Sequence, residues 1–185
     1  MHRTAAGNLA LFCLLVAIGA VGRLAQPVWC FTPLAAVAMF AGYCFGSRCV
    51  AYLVPLSAML ISDLWLPAYQ HPAIMLVVYA FWILPVVLGQ LLRADLTALR
   101  CGAFSLLPAT GFWLISNFAV WSVHGLYPRT LPGLLECYAA AAPFYRAMLA
   151  GDIFYLTLLL GAGFLSIRLI APCHLATKTC TIQSP

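Results

Sequence analysis

The chain has 185 residues, of which 65% are apolar and only 7% charged, with a net charge of +5. Soluble domains carry about 45–50% apolar and about 25% charged residues, so this much apolar surface cannot be hidden from water and calls for lipid. The nine Lys and Arg residues are scattered singly, which leaves no basic patch for a nucleic acid and makes them topology markers instead.

A spanning helix needs about 20 mostly apolar residues, and six stretches are candidates, so the predicted fold is an all-α polytopic membrane protein in one domain. The first runs over about Asn8 to Ala25. Arg3, the apolar stretch and the small residues from Gly19 to Gly22 resemble a signal peptide. Because the rest of the chain is itself membrane-like, an uncleaved first helix is expected. The second stretch, about Thr32 to Gly46, is short and follows Pro27, which suits a short, tilted or broken span. Its Ala38, Gly42 and Gly46 recur every four residues, a ridge that lets helices approach closely.

The third stretch, about Cys49 to Leu66, ends near Asp63. A negative charge at a helix C-terminus opposes the dipole, so Asp63 needs a cationic partner, and Arg23 is the nearest by topology. A short connector from Pro67 to Pro72 leads to the fourth stretch, about Pro72 to Leu92.

The fifth stretch covers about Cys101 to Val123. Trp113, Asn117, Trp121 and His124 recur at i, i+4, i+8 and i+11 and so share one helical face. Rings broken by an amide can serve as a ligand surface. Trp at a membrane interface and Asn bonded to a neighbouring helix read equally well as structure. Residues 124–146 contain Tyr127-Pro128, Pro132-Gly133 and an alanine-rich stretch, which predict a surface loop plus a short interfacial helix, with Glu136 in the loop and solvated.

The sixth stretch, about Ala147 to Ala171, places Tyr145, Met148, Asp152 and Tyr155 on one face. Arg146 lies six residues from Asp152, so the two cannot pair along the helix. Arg23, Arg129, a ligand, or the free N–H groups of a helix start remain as partners for Asp152.

Six spans put both termini on one side with Arg3, Arg48, Arg93, Arg100, Arg168 and Lys178, against Arg23, Arg129 and Arg146 on the other. The positive-inside rule then places both ends in the cytoplasm, with Asp95 inside and Asp63, Glu136 and Asp152 facing outward. Of eight cysteines, none forms a C-x-x-C pair, and no His or Cys spacing suggests a metal. Cys30 and Cys137 fall on the outer side, so a disulfide and two free thiols are both open. Without a phosphate-cradling loop, a nucleophile motif or a metal cluster, no cofactor and no enzyme activity are expected.

Several segments carry a family resemblance: Phe31-Thr-Pro-Leu-Ala, Ala38-Met-Phe-Ala-Gly-Tyr, Val54-Pro-Leu-Ser-Ala-Met-Leu-Ile-Ser-Asp63 and Val78-Tyr79. Ser116-Asn-Phe-Ala-Val-Trp121, Tyr127-Pro-Arg-Thr130, Gly133-Leu-Leu-Glu-Cys-Tyr138, Pro143-Phe-Tyr-Arg146 and Gly151-Asp152 continue it. Together, over about Arg23 to Gly161, they resemble an uncharacterised bacterial family of six-helix membrane proteins. That family is similar in fold to the substrate-binding S components of energy-coupling factor (ECF) transporters. The resemblance implies an inner-membrane subunit that binds a vitamin-like solute from outside and docks on a membrane coupling subunit driven by two ATPases. Many S components dock through an A-x-x-x-A ridge on the first helix; here Ala6-x-x-x-Ala10 is followed by bulky Leu14.

The leading expectation is an outward solute pocket lined by Asp63, Asn117, Trp121, Arg146 and Asp152, with Arg23 and Tyr79 beside them. Arg146 would take a ligand carboxylate or phosphate. The alternatives are a membrane-embedded enzyme using Asp63 or Asp152 as general acid or base, and a structural protein whose polar belt only staples helices.

Overall fold

The computed structural model describes residues 4–94, 96–123 and 125–179, with the side chains of the last helix described as far as residue 162. His124 and Asp95 therefore lie outside the described residues, as do His2 and Arg3; the side chains of Arg168, His174 and Lys178 are not described. Among the described residues every secondary-structure element is a helix: α1 (Ala5–Leu24), α2 (Leu34–Cys44), α3 (Arg48–Asp63), α4 (Pro72–Phe81), α5 (Ile83–Ala94), α6 (Ala98–Val123) and α7 (Leu131–Thr179). The segments α4 and α5 are two halves of one rod. It breaks at Trp82 because Pro85 has no N–H for the Phe81 carbonyl and its ring crowds that oxygen.

Among the described residues four rods are long and apolar enough to cross a membrane: Ala5–Leu24, Pro72–Ala94, Leu99–Val123 and Leu131–Ala162. The other two are shorter than the six-span reading expected. At 11 residues α2 is only about 16 Å long, roughly half the hydrocarbon thickness. Every residue from Leu34 to Gly42 is buried, and α2 packs against α1, α3, α5 and α7. A helix that is apolar all round belongs inside, and α2 is the axle of the bundle. Large apolar side chains such as Leu14, Val21, Leu60, Leu76, Leu114 and Phe154 cover the outside, which only lipid can satisfy at this density. The protein is an α-helical membrane protein.

Close backbone approach seats the axle. A Cβ on Gly42 would lie 2.1 Å from the Val86 carbonyl oxygen, and one on Gly89 would lie 1.9 Å from that of Met39. The predicted small-residue ridge is thus half right: Ala38 and Gly42 lie in the core, whereas Gly46 faces open space beyond the helix. Its counterpart on α5, Gly89, has no repeat to mark it. Arg93, at the end of α5, closes the far end of α2. Its Nε donates to the Tyr43 carbonyl at 2.8 Å, and one Nη donates to Gly42 at 2.7 Å and also to Phe45. A cation on terminal carbonyls is the favourable arrangement for a helix C-terminus.

The expected loop and interfacial helix between residues 124 and 146 take a different form. Helix begins at Leu131 and runs without interruption into the last span. Pro132-Gly133 reads as a turn in sequence but sits in the first helical turn, where proline is tolerated. Thr130 accepts the Gly133 N–H at 3.3 Å as a cap. The run Ala139–Ala142 then carries the helix forward, alanine being the strongest helix former. Glu136 consequently lies on a helix rather than in a loop, exposed as expected.

Candidate functional site

Arg23 ends α1 and Asp63 ends α3, and their side chains meet at the same end of the bundle. Arg23 Nη1 lies 2.7 Å from Asp63 Oδ1 and donates to Ser62 Oγ at 2.6 Å. The second carboxylate oxygen of Asp63 accepts the Tyr79 hydroxyl from α4 at 2.7 Å. Three helices are therefore tied by one carboxylate, and the expected cation for Asp63 is Arg23.

Beside this cluster is a cavity of about 280 Å³, lined by Arg23 and Asp63 and also by Asp152 of α7. Aromatic rings wall it: Trp29, Tyr69, Phe81, Trp82 and Phe112. Two connectors reach its rim. The α1–α2 connector contributes Gln26, Trp29, Cys30 and Thr32, and the α3–α4 connector contributes Leu66, Pro67 and Tyr69. Cys30 adopts φ 69°, a left-handed conformation that disfavours a side chain, and the Gln26 side-chain oxygen holds it there by accepting its N–H at 2.8 Å. Burial raises the Cys30 thiol above its ordinary pKa, which keeps it protonated and unreactive. Burial also raises the Tyr69 phenol, with the Asp63 charge adding to the effect and Arg23 opposing it.

Asp152 differs from Asp63 in having no cation among the described residues. It is 7% exposed, and among the described residues it lies on the cavity wall without an ion pair. Trp82, which also lines the cavity, has a buried indole nitrogen with no hydrogen-bond partner among the described residues. Both features mark polar groups left open on an otherwise apolar surface.

The remaining predicted residues do not reach this cavity. Asn117 donates back to the Trp113 carbonyl at 2.8 Å, one turn earlier in α6. Trp121 donates to the Pro128 carbonyl at 2.9 Å, and Arg129 donates to the Ser122 carbonyl at 2.9 Å, so both fasten the α6–α7 connector. Arg146 is exposed and lines neither cavity wall nor ion pair among the described residues. Tyr79 does not line the cavity and donates to Asp63, which does. The ledge begun by Trp113 faces α7, where its ring packs on Tyr138 and Tyr145 at centroid distances of 4.8 and 5.1 Å. Phe112, one residue and about 100° earlier on α6, turns to the cavity instead.

On α7 the expected face is divided. Met148 and Asp152 line the cavity, Tyr145 shares a hydrogen bond with Thr110 at 3.1 Å, and Tyr155 packs on Phe31 at 5.3 Å. Cys30 and Cys137 are both free thiols. Cys137 is buried in the α6–α7 hairpin, with its sulfur 3.5 Å from the Asn117 carbonyl. Among the described residues no group of His, Cys, Asp or Glu is arranged to hold a metal.

An all-helical membrane bundle with a mostly apolar, aromatic-walled cavity beside the Arg23–Asp63 pair defines the class of this protein. The chain belongs to DUF6580, a family of unknown function, whose family model matches residues 3–171. No curated protein and no solved structure matches the chain.

Proposed function

We propose that the protein is the substrate-binding membrane subunit of an energy-coupling-factor type uptake transporter for a vitamin-like solute. The observation that carries this reading is the cavity itself: about 280 Å³, aromatic on its walls, with the buried carboxylate of Asp152 unpaired by any described cation. Concave, mostly apolar sites with a few polar groups are the usual form of a small-molecule site, and this volume is close to the lower end of their range. Rings supply flat contact area, and polar groups at fixed positions supply selectivity. The charges at the site do not form a relay across the bundle, since Arg23 and Asp63 satisfy each other at one end.

In this reading the chain sits in the inner membrane with both termini in the cytoplasm, and the cavity opens outward. Solute transfer then requires movement of the whole subunit, driven through a membrane coupling subunit and two ATPases. Ala6 and Ala10 are exposed on α1 and provide a small-residue surface for such a partner.

The test is thermal unfolding of the detergent-solubilised protein against a panel of vitamins and related metabolites. A ligand bound only by the folded state at one hundred times its Kd stabilises by about 2.7 kcal/mol, so a single compound should raise Tm in a saturable way. The same protein, co-expressed with a coupling subunit and its ATPases, should copurify with them. If no compound in the panel moves Tm, the solute-binding reading fails and the polar cluster is a structural staple.

A further inference from the structure

The identity of the charges at the cavity says which kind of solute fits. Arg23 would attract an anion if it were free, but its Nη1 is 2.7 Å from Asp63 and also bonded to Ser62. Asp63 is equally committed, with one oxygen on Arg23 and the other on Tyr79. These two charges cancel. Arg146, the residue expected to meet a ligand carboxylate, is exposed and away from the cavity. What remains on the cavity wall is the carboxylate of Asp152, without a described cation.

We propose that the cavity takes a small aromatic or heteroaromatic cation, an amine or amidinium whose charged nitrogen pairs with Asp152 while its ring stacks among Phe81, Trp82 and Phe112. Two physical terms favour a cation over a neutral or anionic ligand of the same shape. A buried carboxylate is costly unless paired, and a ligand cation supplies the pair. Ring faces also attract cations through their quadrupoles, the more so when desolvated. An anion meets neither term, because the guanidinium at the rim is already neutralised. Trp82 and the remaining N–H groups of Arg23 are left to serve a neutral acceptor on the same ligand, such as a carbonyl or hydroxyl.

This inference rests on the solute-binding reading and is separable from it. The experiment uses full-length protein in detergent and two matched sets of probes: tryptamine, tryptophol and indole-3-acetate, then benzylamine, benzyl alcohol and benzoate. Each set keeps the ring and changes only the charge of the side arm. Thermal shift and equilibrium binding should rank amine above alcohol above acid, with at least about tenfold tighter binding of the amine than of the acid, equivalent to about 1.4 kcal/mol. In Asp152→Asn the amine should lose that advantage and bind no better than the alcohol.

The ranking on the wild-type chain needs no variant, so the proposal stays testable even if Asp152→Asn does not fold. Acids or alcohols binding as well as the amines would overturn the cation assignment while leaving a solute site in place. A preference for amines that survives unchanged in a folded Asp152→Asn would overturn the role of Asp152. Absence of binding by all six probes, together with no hit among vitamins and metabolites, would overturn both the assignment and the solute-binding reading.

Discussion

Arg23 and Asp63 join the C-terminal ends of α1 and α3, with Nη1 and Oδ1 2.7 Å apart and both side chains mostly buried at 16% and 20% exposure. The two ends respond differently to a lone charge. A cation at a helix C-terminus is favoured by the dipole, whereas an anion is disfavoured. Asp63 thus depends on Arg23 more than Arg23 depends on Asp63.

That asymmetry gives the first prediction. Arg23→Gln leaves a largely buried carboxylate at an unfavourable helix end and should cost about 3 kcal/mol. Asp63→Asn removes the offending charge along with its bonds and should cost less. The double variant should be less damaged than the two singles combined, by about 1 kcal/mol or more, as expected for residues in direct contact. Denaturant unfolding of the four proteins in one detergent measures this, and strict additivity would show that the ion pair contributes nothing.

The axle of the bundle gives the second prediction. Gly42→Ala or Gly89→Ala forces a methyl group to within about 2 Å of a backbone carbonyl on the facing helix. Backbone cannot yield as a side-chain tip can, so α2 and α5 must separate, at a cost of about 3 kcal/mol or more. Gly102 and Gly161 lie in helices and face open space. Alanine there should be neutral or stabilising by up to about 1 kcal/mol, from helix propensity alone. Comparing the yield of folded, monodisperse protein and the Tm of these four variants checks the packing directly. Equal tolerance at all four positions would contradict the close crossing.

The pairing of Asp63 with Arg23 could be read from sequence because it follows from two general rules, the alternation of sides and the sign of the helix dipole. That the chain is a set of long apolar helices was legible because apolar length is a local property, although α2 and α3 are shorter than full spans and α7 begins at Leu131. Helix rotation is not local. The stripe of Trp113 and Asn117 is the most conspicuous polar-aromatic face of α6, yet it turns to α7, where Tyr138 and Tyr145 receive Trp113. The cavity instead faces Pro108, Ala109 and Phe112, three residues with no polar side chain to draw notice. Trp29 and Tyr69 had a weak signal, being aromatic rings in short connectors next to Pro27 and Pro67. The start of α7 was misread because Pro132-Gly133 carries the same letters as a turn, and only the Thr130 cap separates the two outcomes.

The third prediction follows from this difference between conspicuous and cavity-facing residues. Asn117→Ala, Trp121→Phe and Arg146→Ala should leave the affinity for any bound solute within about twofold, because their side chains serve α6 and its connector or face outward. Asn117→Ala removes one back-bond within a helix and should cost at most about 1 kcal/mol of stability. Phe112→Ala should behave in the opposite way. Its ring packs on Phe81 at 5.3 Å and Trp82 at 6.3 Å and lines the cavity, so truncation should weaken solute binding at least tenfold and cost about 3 kcal/mol of stability. Phe112→Leu keeps most of the volume but loses the ring face. It separates the two effects: stability should largely return while affinity for an aromatic probe does not. A solute whose binding follows Asn117 and Arg146 rather than Phe112 would place the site in the α6–α7 hairpin and not in the cavity beside Arg23 and Asp63.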